Sequence, residues 1–263
     1  MLLLDAGNTS LKLGLRGPDG ELRDYSLPST PEATADSLGL SIISAISHAG
    51  FDPEDMPAWV ACSVVPRLDR LLREAAMRYC GCEALFVPGE IPLPLANRYQ
   101  RPEEVGADRL VTAYAASRTV DTPGCLVIDF GTATTFDLVA GGEYLGGLIC
   151  PGVLTSARAL SSGTAKLPQA ELRVETDQAE PGLSTATSLS HGLVFGFAAM
   201  AEGLAARLLP RLPEGSAVVA TGGLAPHIAR VCRAIHLVRP HLLLEGLELA
   251  YTDNSLFQPA KGA

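Results

Sequence analysis

"CLVIDFGTATTFDLV" at residues 125–139 reads as a strand, a tight turn and a second strand, with a carboxylate and a glycine placed at the turn. The run before the turn is apolar enough to be buried, and a buried strand has no use for an acid at its end unless that acid meets a partner there. "LLLDAGNTSLKLGL" at residues 2–15 has the same layout, with Asp5 and Gly7 where the other stretch has Asp129 and Gly131. From position 5 to position 129 is 124 residues, close to half of the 263-residue chain. That period is far longer than a solenoid repeat and indicates a duplicated domain.

Working outward, each copy opens as a three-strand meander. The strands are "MLLLDA", "SLKLGLR" and "ELRDYSL" in the first copy and "CLVIDF", "TTFDLVA" and "EYLGGLIC" in the second. Apolar spacing predicts helices over 32–49, 67–80, 106–120, 152–162, 186–209, 225–234 and 243–252, with strands at 58–65, 83–87, 216–221 and 235–239. The proline-rich stretch at 89–105 is long for a connection, and loops of that length are usually functional. The class is α/β, and the expected organisation is two domains, 1–117 and 118–263, with a cleft between them.

Hydrophobic residues make up 47% of the chain and charged residues 19%, as in compact globular proteins. The net charge of -9, with no cluster of Lys or Arg, sets up a field that repels a nucleic-acid backbone and an anionic membrane surface. Neither is an expected partner. Met1-Leu2-Leu3-Leu4 has no basic flank and meets Asp5 at once, and no stretch is an uninterrupted apolar run of the roughly 20 residues a membrane span needs. A cytoplasmic location is expected. Six cysteines at 62, 80, 82, 125, 150 and 232 lack C-x-x-C spacing and are expected to be free thiols.

A carboxylate at a sheet edge can hold a hydrated divalent cation, while the glycine beside it lets backbone N–H groups approach phosphate oxygens. Asn8, Thr9 and Ser10 supply neutral donors in the first turn, and Thr132, Thr134 and Thr135 do so in the second. Lys12 adds a point charge. Taken singly, Asp-x-Gly-Asn is also an ordinary hairpin turn. Its repetition favours a two-sided phosphate clamp, and neither G-x-G-x-x-G nor the Walker pattern is present as an alternative.

The paired loops resemble those of the acetate and sugar kinase, heat-shock-70 and actin superfamily. "DAGNTSLK", "NRYQRPEEVGADR", "DFGTATTFD", "GEYLGGLICPG" and "LLLEGL", in that order along the chain, are together similar to the type III pantothenate kinases. The resemblance implies duplicated actin-like (ribonuclease H-like) domains around a nucleotide cleft. It also implies ATP-dependent phosphorylation of pantothenate to 4'-phosphopantothenate, the first step of coenzyme A synthesis. Magnesium, a monovalent cation (potassium or ammonium) and a homodimer belong to the same implication. A non-catalytic nucleotide-binding regulator of the same superfamily is the alternative.

Carried over residue by residue, the resemblance makes Asp108 of Gly106-Ala107-Asp108-Arg109 the general base. Its place in the first turn of a helix favours negative charge there, although an ordinary first-turn acid has the same place. Arg109 is implied to pair with the pantothenate carboxylate, the alternative being a solvated helix arginine. Tyr99 and Thr185 match positions that line the acceptor pocket, Thr185 having a helix cap as its alternative. Asp5, Ala6, Gly7, Asn8, Thr9, Ser10, Leu11 and Lys12 match the first phosphate loop, with Asp5 near magnesium through water. Thr132 matches an ATP contact and Asp129 the monovalent-cation ligand. Gly222 and Gly223 are expected on the nucleotide side. One departure is Thr112, where the family commonly has asparagine.

Overall fold

A computed structural model describes residues 1–162, 172 and 174–254. Two compact units emerge. The first holds residues 1–94 and 103–115 together with the segment from Leu243, and the second holds residues 95–102 and 116–242. This differs from the contiguous halves expected from the sequence, because two short segments join the unit that is distant in sequence.

In the first unit, β1 (Leu2–Ala6), β2 (Ser10–Arg16) and β3 (Leu22–Pro28) form the antiparallel meander. β4 (Trp59–Ser63) and β5 (Ala84–Phe86) extend it in parallel on the other side of β1, giving the order β3-β2-β1-β4-β5. β1 is central, and Leu2, Leu3, Leu4 and Ala6 are all buried, which is why the strand reads as a continuous apolar run. α1 (Ala35–His48) and α2 (Pro66–Cys80) cover one face through Leu38, Ile42, Ile46, Leu68 and Leu72. A capping box between Thr34 and Ser37 starts α1, and Pro66 starts α2.

The second unit contains β7 (Gly124–Phe130), β8 (Ala133–Ala140), β9 (Glu143–Pro151), β10 (Ala217–Thr221) and β11 (Leu237–Val238). Their order, β11-β10-β7-β8-β9, repeats that of the first sheet, with the same meander and the same parallel additions. The duplication read from two turns is thus a duplication of topology. β6 (Ala96–Asn97) adds a sixth strand, parallel to β9, and this pairing places residues 95–102 with the second unit.

α3 (Ala107–Thr119) contains the boundary between the units, and α7 (Leu242–Asp253) lies mostly in the first. Several contacts hold α7 there. Arg16 makes a bidentate pair with Glu248, the Tyr114 hydroxyl donates to Asp253 at 2.6 Å, and Gly246 lies so close to Val111 that a Cβ would be 2.6 Å from its carbonyl oxygen. α6 (Ala225–Ala229) is shorter than the pattern predicts.

α4 (Val153–Ser162) and α5 (Thr185–Leu208) complete the second unit. Residues 185–211 form a stretch long and apolar enough, by length and composition alone, to cross a membrane. Scattered Ser, Thr, Gly and His hide this from a search for uninterrupted runs. Leu193, Val194, Ala198, Ala201 and Ala205 of α5 sit in the second hydrophobic core, while most of the remaining helix surface is exposed or half-buried. All six cysteines are free, five of them buried and Cys150 half-buried.

Candidate active site

The first turn is built by β1 and β2. Asp5 is opposite Lys12 across the antiparallel pair and opposite Cys62 on β4. The Lys12 ammonium lies 3.5 Å from the Asp5 carboxylate. Burial pushes the Asp5 carboxyl above its ordinary value; Lys12 pulls it back and the charge of Asp108 pushes it further up. The same two acids, after burial itself, hold the Cys62 thiol well above the ordinary thiol range, so this thiol stays protonated and inert.

Asn8 and Thr9 are exposed at the tip of the turn, with Ser10 half-buried. Ala6 and Leu11 are fully buried in the core, so what they can offer a ligand is backbone. The Gly7 N–H donates to the Ser10 carbonyl at 3.0 Å. Ser29, just after β3, clasps the turn from behind: its hydroxyl donates to the Gly7 carbonyl at 2.8 Å and its N–H donates to the Thr9 carbonyl at 3.1 Å. Sequence reasoning missed Ser29.

Asp108 is the second residue of α3, and its carboxylate accepts from the Arg109 N–H at 2.9 Å. A Cβ on Gly106 would fall 2.4 Å from the Asp108 Oδ1, so the glycine of Gly-Ala-Asp-Arg leaves the space that the carboxylate occupies. Arg109 is buried, at 8% exposure, which removes the solvated-arginine alternative. Thr112 is also buried and donates its hydroxyl to the Asp108 carbonyl at 2.7 Å. The departure from asparagine is thereby absorbed as an intrahelical bond beneath the acid.

The second turn joins β7 to β8. Asp129 lies on the central strand between Thr135 of β8 and Thr221 of β10. Gly222 follows Thr221 with φ +87°, and a Cβ there would be 2.3 Å from the Asp129 Oδ1. A side chain at 222 would therefore displace the carboxylate. The Gly131 N–H donates to the Ala133 carbonyl at 3.1 Å, and Thr132 is exposed. Thr134 is fully buried, with its side chain turned inward from the loop tip.

A hydroxyl clasps this turn too: Thr155, in the first turn of α4, donates to the Thr132 carbonyl at 2.7 Å. Gly152 packs so closely that a Cβ would sit 2.1 Å from the same carbonyl oxygen. In each copy, then, an acid sits at the penultimate position of the central strand, and a hydroxyl from the segment after the third strand holds a turn carbonyl.

Tyr99 lies in the second unit, where its N–H donates to Asn97 Oδ1 at 3.0 Å and its ring packs against Tyr144. Thr185 is the exposed first residue of α5. The helix cap is Ser184, which forms a capping box with Thr187, so the cap alternative for Thr185 does not hold.

The family model described as type III pantothenate kinase matches residues 1–207. A type III pantothenate kinase from Nitratidesulfovibrio vulgaris (strain DSM 19637 / Miyazaki F) is 56% identical over 253 residues, covering 96% of this chain and 97% of its own. Another from Oleidesulfovibrio alaskensis is 52% identical over 256 residues, covering 97% of each. Among solved structures, a protein described as a Baf family transcriptional activator from Campylobacter jejuni aligns over 97% of this chain and 98% of its own, with 19% identity and a TM-score of 0.57. The inorganic polyphosphate/ATP-glucomannokinase from Arthrobacter sp. strain KM aligns over 97% of this chain and 99% of its own, with 10% identity and a TM-score of 0.51. These two share the fold, the duplicated actin-like arrangement. With a family match over most of its length and near-complete relatives at more than half identity, the chain belongs to the type III pantothenate kinase family.

Proposed function

We propose that the protein transfers the γ-phosphoryl group of ATP to the primary hydroxyl of pantothenate, giving 4'-phosphopantothenate and ADP at the entry to coenzyme A synthesis. The observation that carries this reading is the family match over most of the chain, with Asp108 of Gly-Ala-Asp-Arg, which a mere nucleotide binder does not need, and the Asp5 turn both lying in the first unit. A base and a phosphate turn on one compact body are what a hydroxyl-directed kinase requires.

In this reading Asp108 accepts the hydroxyl proton as the pantothenate oxygen bonds to the γ-phosphorus and the bond to the β-phosphate oxygen breaks. The transition state of such a transfer is loose, so placing the hydroxyl matters more than the strength of the base. Arg109 pairs with the pantothenate carboxylate, while Tyr99 and Thr185 line the acceptor pocket. The backbone from Asp5 to Lys12 and Thr132 take the phosphates.

Among the described residues no group of three or more His, Cys, Asp or Glu forms a ready metal cage. That suits magnesium, which is commonly held by one or two carboxylates and the substrate's own phosphates. Asp5 is the residue that would hold it, through water, and the ion would supply charge neutralisation at the phosphates. Asp129, with the space beside it kept clear by Gly222, would hold the monovalent cation.

We also propose a homodimer, with contact along α5. In support, α5 leaves the apolar Phe195, Phe197, Met200 and Leu204 only half-buried and Leu183 just before it 98% exposed, while β9 of the same unit exposes Leu145, Leu148 and Ile149.

The test is direct. Protein incubated with magnesium-ATP, potassium and pantothenate should yield a product of the mass of phosphopantothenate, in step with ADP release. Nucleotide binding without that product would replace the kinase reading with the regulatory one.

A further inference from the structure

Asp137 is 3% exposed, and none of the roles above uses it. It lies on β8, opposite Val127 of β7 and Gly147 of β9. Its carboxylate accepts hydrogen bonds from the Thr135 hydroxyl at 2.9 Å and the Tyr144 hydroxyl at 2.7 Å. Taking a carboxylate this far out of water is costly, and a well-packed apolar residue would serve a core equally well. What the carboxylate adds is direction, because a hydrogen bond fixes where the Tyr144 ring stands and an apolar contact does not.

Tyr144 is fully buried, and two of its features reach Tyr99. Its backbone pairs with Asn97 of β6, its carbonyl accepts the Arg98 N–H at 2.9 Å, and Arg98 forms an ion pair with the adjoining Glu143. Its ring packs against the Tyr99 ring, with centroids 6.3 Å apart and a 44° tilt. Asn97 then closes the segment on itself, accepting from the Tyr99 N–H at 3.0 Å and donating to the Pro102 carbonyl at 3.1 Å. The chain of contacts runs from a buried acid through a buried tyrosine to the acceptor-side tyrosine, all within the second unit.

We propose that Asp137 and Tyr144 are positioning residues that hold the Tyr99 ring at the height and tilt with which it meets pantothenate. The inference rests on Tyr99 lining the acceptor pocket. Its consequence is specific: loosening the Asp137–Tyr144 bond weakens acceptor binding and leaves the nucleotide side alone.

Steady-state kinetics on Tyr144→Phe, Asp137→Asn and Tyr99→Ala test it. Tyr144→Phe keeps the ring and loses the bond; pantothenate KM should rise roughly tenfold, the size of one hydrogen bond to a charged group, with ATP KM and kcat little changed. Asp137→Asn still accepts from Tyr144 and donates to Thr135, so its rise should be smaller, about threefold. If Tyr144→Phe fails to fold, Asp137→Asn reads the same split. Tryptic cleavage after Arg98 should also quicken in both variants at temperatures well below unfolding.

Pantothenate and ATP KM rising together, or cleavage at Arg98 unchanged, would overturn the inference. The Tyr99→Ala control separates two failures. A raised pantothenate KM there beside an unchanged one in Tyr144→Phe overturns this inference alone. An unchanged KM in Tyr99→Ala overturns the acceptor-pocket reading and this inference with it.

Discussion

The Lys12 ammonium stands 3.5 Å from the Asp5 carboxylate, directly across the β1–β2 pair, yet burial outweighs the pairing and leaves the Asp5 carboxyl above its ordinary value. The sign of the linkage follows. A raised acid binds its proton more tightly in the folded chain than in the unfolded one, so its contribution to stability is present at low pH and is lost as pH rises through the folded value, above 3.8. At neutral pH Asp5 is therefore a cost to the ligand-free fold. Such a cost is retained where a charge is needed for function.

Asp5→Asn should accordingly melt higher than the parent at neutral pH while losing kinase activity. The gap should close as pH falls into the carboxylate range, where the parent acid takes up its proton. Thermal melts of both proteins across that range are the measurement. Equal melting temperatures throughout would show that burial of Asp5 carries no such cost.

For Asp108→Asn, phosphorylation of pantothenate should fall about 10²–10⁴-fold, the range spanned by general-base removal. The fold should persist, because an asparagine oxygen can still accept from the Arg109 N–H at the helix start. Single-turnover product formation and nucleotide binding, measured side by side, separate the two effects. Near-normal turnover would take the proton-acceptor role away from Asp108.

The fold was legible because duplication wrote the same local pattern twice: an apolar run, an acid, a glycine and an alternating strand. What stayed illegible depends on contacts distant in sequence. Nothing local in "LLLEGL" assigns α7 to the first unit, since Arg16 and Val111 decide that. β6 is two residues long and exists because β9 offers it an edge. Asp5, Asp108 and Asp129 announced themselves as acids in apolar or helix-start settings. Ser29 and Thr155 did not, because a serine after a strand or a threonine early in a helix is commonplace until a turn carbonyl is seen beside it. The only available cue was their shared place after the third strand of each meander. Arg109 was read with a solvated alternative because helix periodicity does not reveal that its face is covered.

Ser29→Ala and Thr155→Val each remove the hydroxyl that holds a turn carbonyl, at Gly7 and Thr132 respectively. If the turn's N–H groups bind the phosphates as proposed, releasing the carbonyl loosens the turn that presents them. A typical neutral hydrogen bond contributes about 0.5–1.5 kcal/mol, so ATP KM should rise roughly two- to tenfold in either variant. Pantothenate KM should move less. Nucleotide titrations of the two variants check this, and unchanged ATP affinity in both would reduce the clasps to packing.

Gly222→Ala bears on the cation. At φ +87° any L side chain is strained, and its Cβ would meet Asp129 Oδ1 at 2.3 Å and the Phe130 backbone at 2.8 Å. The carboxylate can swing away from such a clash more easily than the backbone can, so Asp129 is the group that yields. If Asp129 holds the monovalent ion, the potassium concentration for half-maximal activity should rise about 10–100-fold, as it does when a ligand's support is removed. Activity measured against potassium, with ionic strength held constant by a bulky inert cation, gives the number. A potassium curve that does not shift while overall activity falls would assign Asp129 to the phosphates or to water, and the cation would need another ligand.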